Sequence, residues 1–237
     1  MVPALQNGRK MTTLKVLSAG AVKRGVAQIA GEFESATGIT CTLEFAPAPE
    51  LLKRVLAGDT ADIYVAPSAV LDEFAGLGKI VAGSRGAVGR SRIGVVVHEQ
   101  APAPALGSVT AFRLALRYAS KVVYNQASSG LYIAKLLRKL SPGHATEAKM
   151  VVVRSGAAVM EYVAAHPGAV GLAQIPEIMV QMSRGCTVRL AGPLPDEIQN
   201  LTHYEAAATS SQLSAFALVS ALTSVAAKES FAATGIE

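Results

Sequence analysis

Apolar positions along this chain switch repeatedly between strand-like and helix-like spacing. Leu14, Val16 and Leu17 form a short apolar run that feeds Ser18-Ala19-Gly20-Ala21, after which Val22, Val26, Ile29, Ala30 and Phe33 recur at helical spacing. The helix is expected to stop near Thr37-Gly38, and Ile39 to Phe45 alternates as a strand does. Beyond Ala46-Pro47-Ala48-Pro49 the pattern predicts a helix over Glu50 to Ala57, a buried strand over Asp62 to Ala66 and a helix over Ala69 to Leu77. A strand over Arg92 to His98 precedes a proline-rich turn at Ala101 to Ala105 and a helix over Val109 to Tyr118. Lys121 to Asn125 reads as a strand, Gln126 to Gly130 as a turn, and Leu131, Ala134, Leu137 and Leu140 as one helical face. A strand over Met150 to Arg154, a helix over Ala157 to Ala165, a strand over Val170 to Gln174 and a helix from Pro176 continue the alternation. The C-terminal stretch is almost all helix-forming, with apolar Leu213, Phe216, Leu222, Val225 and Phe231. Regular alternation of strand and helix predicts an α/β fold with largely parallel sheets.

Two junctions in this pattern stand out, Ser18 to Lys23 and Gln126 to Gly130, because small or hydroxyl residues connect a strand end to a helix start. The first N–H groups of a helix lack partners inside it, and its macrodipole favours negative charge there, so Ser18, Gly20 and Ala21 read as an oxyanion cradle. Ligands of open α/β sheets bind at the carboxyl ends of strands, and two such rims facing each other would enclose a cleft. The plainer reading is that small residues merely permit tight connections.

The composition supports a packed core and excludes several classes. Of 237 residues, 51% are hydrophobic and 16% charged, and 22 basic against 17 acidic residues leave a formal charge of +5. The cations are scattered without a basic tract or interleaved aromatics, which argues against nucleic acid while leaving attraction of small anions. Cys41 and Cys186 show no metal spacing and are expected to be buried small hydrophobes; His98, His144, His166 and His203 are equally dispersed, so no metal or cofactor is expected. His203 is expected at a hinge or surface, and Asp62, which starts a strand, as structural rather than half of a carboxylate pair with Asp59. No apolar run is long enough to insert in a membrane. Met1 to Thr13 reads as a flexible extension without a signal-peptide core, which predicts a cytoplasmic location as the sequence stands and a periplasmic one if a leader precedes it.

The run LKVLSAGAVKRGVAQIAGEFESATG and the following LEFAPAPELLKRVLAGDTADIYVAPS resemble the first lobe of the molybdate-binding proteins of ABC transporters, of the type II periplasmic-binding-protein fold. The resemblance continues through Ser129-Gly130-Leu131-Tyr132, VAAHPGAVGLAQ and the closing LTSVAAKESFAATGIE. It implies two lobes, each a mixed, mostly parallel sheet flanked by helices, with the ligand cleft between them. Residues 14–87 and 198–237 would form one lobe and residues 88–197 the other. The family's ligand serine at the first turn matches Ala21, its second serine matches Ala48, its tyrosine matches Gln174, and its backbone donors match Ser129 and Gly156. With both hydroxyls lost, molybdate is a poor fit, since a buried charged oxygen left unpaired costs about 1–3 kcal/mol or more.

Residues around the expected cleft suggest a different anion. Lys23 and Arg24 stand in the first turn of the opening helix, where they oppose the dipole, and Arg154 ends a strand where a guanidinium can hold a carboxylate. Tyr124, Gln126, Ser128, Ser129 and Gln174 add neutral donors. Each also has an ordinary explanation: solvated helix charges for Lys23 and Arg24, a salt bridge for Arg154, N-caps for Ser128 and Ser129. The expected function is binding of a small anion, an organic carboxylate rather than molybdate, with an ABC permease as partner if the protein is exported. The alternative is catalysis. Some relatives of the resembled family also lack its serines and act as isomerases, aconitate isomerase among them; on that reading Lys23 or Tyr124 would exchange the proton while Arg24 and Arg154 anchor carboxylates.

Overall fold

A computed structural model describes residues 12–140 and 148–237. In the first sheet, β1 (Thr13–Ala19) lies between β2 (Thr40–Ala46) and β3 (Ile63–Pro67), joined by α1 (Lys23–Thr37) and α2 (Ala48–Leu56). Helix α3 (Ser68–Gly76) leads on to β4 (Gly86–Ser91), the outer strand of that sheet. The chain then enters the second sheet through β5 (Ile93–His98), α4 (Val109–Tyr118), β6 (Val122–Asn125), α5 (Ser128–Leu140) and β7 (Met150–Val153). Helix α6 (Gly156–Ala165), β8 (Val170–Gln174), α7 (Ile175–Ser183) and β9 (Val188–Pro193) complete it. A return segment brings β10 (Thr202–Ala208) into the first sheet, and α8 (Leu213–Leu222) and α9 (Val225–Ala232) follow.

The two sheets repeat one plan. Their orders are β2-β1-β3-β10-β4 and β7-β6-β8-β5-β9, with only β10 in the first and β5 in the second running against their neighbours. Even the irregularity recurs, because the register slips beside Gly89 in one sheet and Gly192 in the other, at φ of 153° and 150°. Such backbone is open mainly to glycine and lets the edge strand bend away. Separate apolar cores back the sheets, one built on Val16, Ile63, Leu71 and Phe74, the others on Phe112, Ile133 and Leu137 and on Val159, Met160 and Ile178.

Strand β4 belongs wholly to the first sheet, so the expected division after residue 87 falls inside a strand and the crossing lies at Arg92. Of the expected extension over residues 1–13, Thr13 already belongs to β1, and residues 1–11 lie outside the described residues. The two crossing segments are tied side by side. The Ile93 N–H donates to Gln199 Oε1 at 2.8 Å, and Gln199 Nε2 donates back to the Ile93 carbonyl at 3.1 Å. Arg92 bridges Asp196 at 2.7 Å and Glu237 at 2.9 Å.

Asp62 accepts the Lys15 N–H at 2.7 Å and its own N–H donates to the Lys15 carbonyl at 2.8 Å, fastening β3 to β1. Asp59 is a separate partner of Lys15 and Arg54. Cys41 and Cys186 are free and half-buried, and burial pushes the Cys41 thiol up to about 11, leaving it protonated and unreactive at neutral pH. Among the described residues no single helix is long and apolar enough to cross a membrane.

Helix α9 is fastened to α1 by Phe231, whose ring occupies the space a Cβ on Gly25 would need. Phe231 is fully buried. Truncating it to alanine should therefore lower stability by about 3–5 kcal/mol, read as a lowered Tm in thermal unfolding.

Candidate functional site

Five strand-to-helix turns meet where the two sheets face each other. They follow β1, β2, β6, β7 and β8, and together they line a cleft of about 220 Å³. After β1 the chain makes a 3-10 turn over Gly20–Val22 before α1, and no side chain caps either start. The α2 start follows Pro47, also without a side-chain cap. On the opposite side Asn125 Oδ1 accepts the Ala127 N–H at 3.0 Å, holding the turn into α5. Gly130 is required there because a Cβ would overlap the Asn125 carbonyl. Ser155 caps α6 by accepting the Ala158 N–H at 3.2 Å, and Gln174 opens α7. Each start presents N–H groups with no intrahelical partner, so five positive dipole ends converge on one small volume.

Most expected site residues come together here. Gly20, Ala21, Lys23 and Ala48 line one wall, and Ser128, Ser129, Arg154, Gly156 and Gln174 the other. Four do not. Ser18 is fully buried within β1 and donates to the Ala19 carbonyl at 3.2 Å, because alternation along a strand turns it into the core. Arg24 is exposed and reaches Ser183 Oγ at 3.5 Å, having been rotated by about 100° from Lys23 around the helix. Tyr124 is buried in the second core with its hydroxyl 4.0 Å from Met150 Sδ, which removes it as a proton donor to the cleft. Gln126 is exposed, its N–H donating to the Val153 carbonyl at 3.0 Å, and Ala127 takes its expected place on the wall.

The cleft also holds a residue the sequence reading missed. Glu177, at the third position of α7, lines it, and its Oε2 is sealed from solvent without a hydrogen-bond partner. Burial pushes this carboxyl up to about 7, against the opposing pull of the Lys23 ammonium and the Gln174 backbone N–H. Gly156 makes room for it, since a Cβ there would overlap the Glu177 carboxylate. Tyr204 of β10, a strand of the first sheet, also lines the cleft; burial, and then the Glu177 charge, push its phenol well above the usual range. Gln174 donates to Thr202 Oγ1 at 3.0 Å while its Oε1 remains unpartnered. The visible signal for Glu177 was its place three residues after Gln174 at a strand end, the spacing of a capping box.

A larger hollow, about 380 Å³ beneath Pro102 to Ala105, is walled by alanine, proline, Leu114 and Tyr118 with no charged side chain. Among the described residues no group of three or more His, Cys, Asp or Glu side chains could hold a metal ion.

Two sheets of one plan joined by paired crossings, with a cleft at their carboxyl edges, define a two-lobed type II periplasmic-binding-protein fold. Residues 14–237 match the family described as bacterial extracellular solute-binding protein, and the chain belongs to that family. It is similar to an aconitate isomerase from Pseudomonas sp, 28% identical over 208 residues that cover 84% of this chain and 77% of that protein. Among solved structures it resembles the Azotobacter vinelandii periplasmic molybdate-binding protein, with a TM-score of 0.74, 17% identity and coverage of 94% of this chain and 98% of that one. It also resembles a sulfate-binding protein from Mycobacterium tuberculosis H37Rv, with a TM-score of 0.73, 17% identity and coverage of 95% and 86%.

The raised Glu177 carboxyl makes a prediction about stability. In the unfolded chain a glutamate ionises near 4.5, whereas here it holds its proton to about 7, so its contribution is complete below 4.5 and is lost as pH rises through 7. Relative to Glu177→Gln, the unliganded wild type should lose Tm across that interval. A difference between the two that stays constant with pH would show an ordinary carboxyl.

Proposed function

We propose that the cleft binds a small organic anion carrying more than one carboxylate. The observation that carries this reading is the make-up of the cleft: five helix starts, the cations Lys23 and Arg154, and alanines at positions 21 and 48. In the resembled molybdate-binding family those two positions carry hydroxyls that close around a compact tetrahedral oxyanion, which alanine side chains cannot do. Planar carboxylates spread over a short carbon skeleton make fewer demands on any one point. One can sit on helix N–H groups while another pairs with a guanidinium in bidentate geometry. The apolar Ala21, Ala48 and Phe45 then have carbon atoms to pack against. Family membership supports delivery of that anion to a permease as the use to which binding is put.

A second reading on the same site is isomerisation of an unsaturated polycarboxylate. The similarity to the Pseudomonas aconitate isomerase favours it, because that protein matches over most of both chains.

Thermal unfolding in the presence of tricarboxylates, dicarboxylates, molybdate, tungstate and sulfate tests the main reading. A true ligand at one hundred times Kd should add about 2.7 kcal/mol of stability. Stabilisation by the metal oxyanions alone would remove the carboxylate assignment. Arg154→Ala should weaken carboxylate binding by roughly 10–100-fold in calorimetric titration, the worth of a charge-assisted pair.

A further inference from the structure

A carboxylate is an unexpected wall for an anion cleft, and its structural duty at the start of α7 accounts for only part of Glu177's placement. Capping explains one oxygen only: the Gln174 N–H favours its ionised form, as the third residue of a helix commonly does for the first. Oε2 remains closed off from water with no donor. It is held against the start of α6, where glycine at 156 is what leaves it space. The charged and titratable groups acting on it are Lys23 from α1 and Tyr204 from β10, and Arg154 from the turn before α6 lines the same cleft. Tyr204 stays a neutral phenol, and the two cations suit the carboxylates of a ligand.

We propose that Glu177 is the proton carrier of this site, taking a proton from one carbon of a bound unsaturated polycarboxylate and returning it two carbons away. The inference rests on the carboxylate reading of the cleft. In the first half, a C–H bond next to the double bond breaks, its proton bonds to the Glu177 carboxylate, and the electron pair spreads through the double bond into the adjoining carboxylate. The charge gathered on those oxygens faces helix N–H groups, Lys23 and Arg154. In the second half the carboxyl O–H bond breaks, a C–H bond forms at the far end of the three-carbon system, and the double bond has moved. Nothing is oxidised or reduced, and no co-reactant is needed. A carboxyl shielded from water keeps its proton between the halves instead of losing it to solvent, and its position near neutrality suits it to both accept and donate.

The probes are cis- and trans-aconitate, followed by proton NMR in deuterated water. Wild type should interconvert the two acids or exchange their carbon-bound protons, with a rate that rises as pH passes about 7, where the carboxyl ionises. Glu177→Gln should lose at least about 100-fold of that rate, flatten the pH profile and still be thermally stabilised by the acids. Glu177→Asp should recover part of the rate. Exchange at the wild-type rate by Glu177→Gln would overturn the inference, as would a wild type that is stabilised by aconitate yet exchanges no proton; in both cases the carboxylate reading stands. Absence of stabilisation by either acid, or by any other polycarboxylate, would overturn that reading and the inference with it.

Discussion

The convergence of five helix N-termini on one small volume is the constraint around which the molecule is organised. Each helix start leaves backbone N–H groups unpaired, and burying such groups without a partner costs about 1–3 kcal/mol apiece. Here the starts of α1, α2 and α7 all lack a side-chain cap, so the cleft is a place where donors wait for an acceptor from outside the chain. Small residues are the corollary. Gly20, Ala21, Ala48, Gly130 and Gly156 occupy the turns, and at Gly130 and Gly156 a Cβ would strike a carbonyl and a carboxylate respectively.

The repeated topology explains how two lobes deliver these turns to the same point. Four of the five strands in each sheet share a direction, so their carboxyl ends lie on one edge, and the crossing at Arg92 and the return before Thr202 set the edges face to face. Yet the repeats do not contribute alike. The first lobe offers backbone, alanines, Phe45, Tyr204 and one cation, Lys23, whereas the second supplies Ser128, Ser129, Arg154, Gln174 and Glu177. Most of the polar side chains thus stand on the second wall, which also carries three of the five helix starts. Gln199 and Arg92 tie the crossings together through side-chain hydrogen bonds and ion pairs, while Ile93, Leu194 and Ile198 pack these segments onto the second core.

Much of this was legible in the order of residues, and what was not has physical causes. Alternation of strand and helix located the β–α pairs, with Val109–Tyr118 and Val170–Gln174 at their expected bounds. The strands Gly86–Ser91, Val188–Pro193 and Thr202–Ala208 escaped it. The first two are short of apolar residues and carry the glycines of the bulges; the third is alanine-rich and owes its conformation to pairing between β3 and β4, not to local preference. At the site, turns were easier to place than side chains. Ser18 and Tyr124 are polar residues in strands whose alternation points them inward, and Arg24 differs from Lys23 only by one step around a helix.

Glu177 was the hardest to see because its local pattern, Gln174-Ile-Pro-Glu, is fully explained as a helix start. Its significance depends on what lies opposite, and nothing local specifies that. The opposing wall supplies Lys23 and the Tyr204 ring, and the α6 start closes over the carboxyl through the space left at Gly156. An ionised carboxylate sealed there would repel the anion that five dipole ends attract, and a permanently neutral side chain would do no more than fill the gap. A carboxyl whose burial places it near neutrality resolves the conflict, since it can be neutral while an anion enters and ionised when a proton must be taken. The same enclosure that raises its affinity for a proton keeps water from competing for it, so the feature that looks least suited to an anion cleft is the one on which the proposed proton transfer rests.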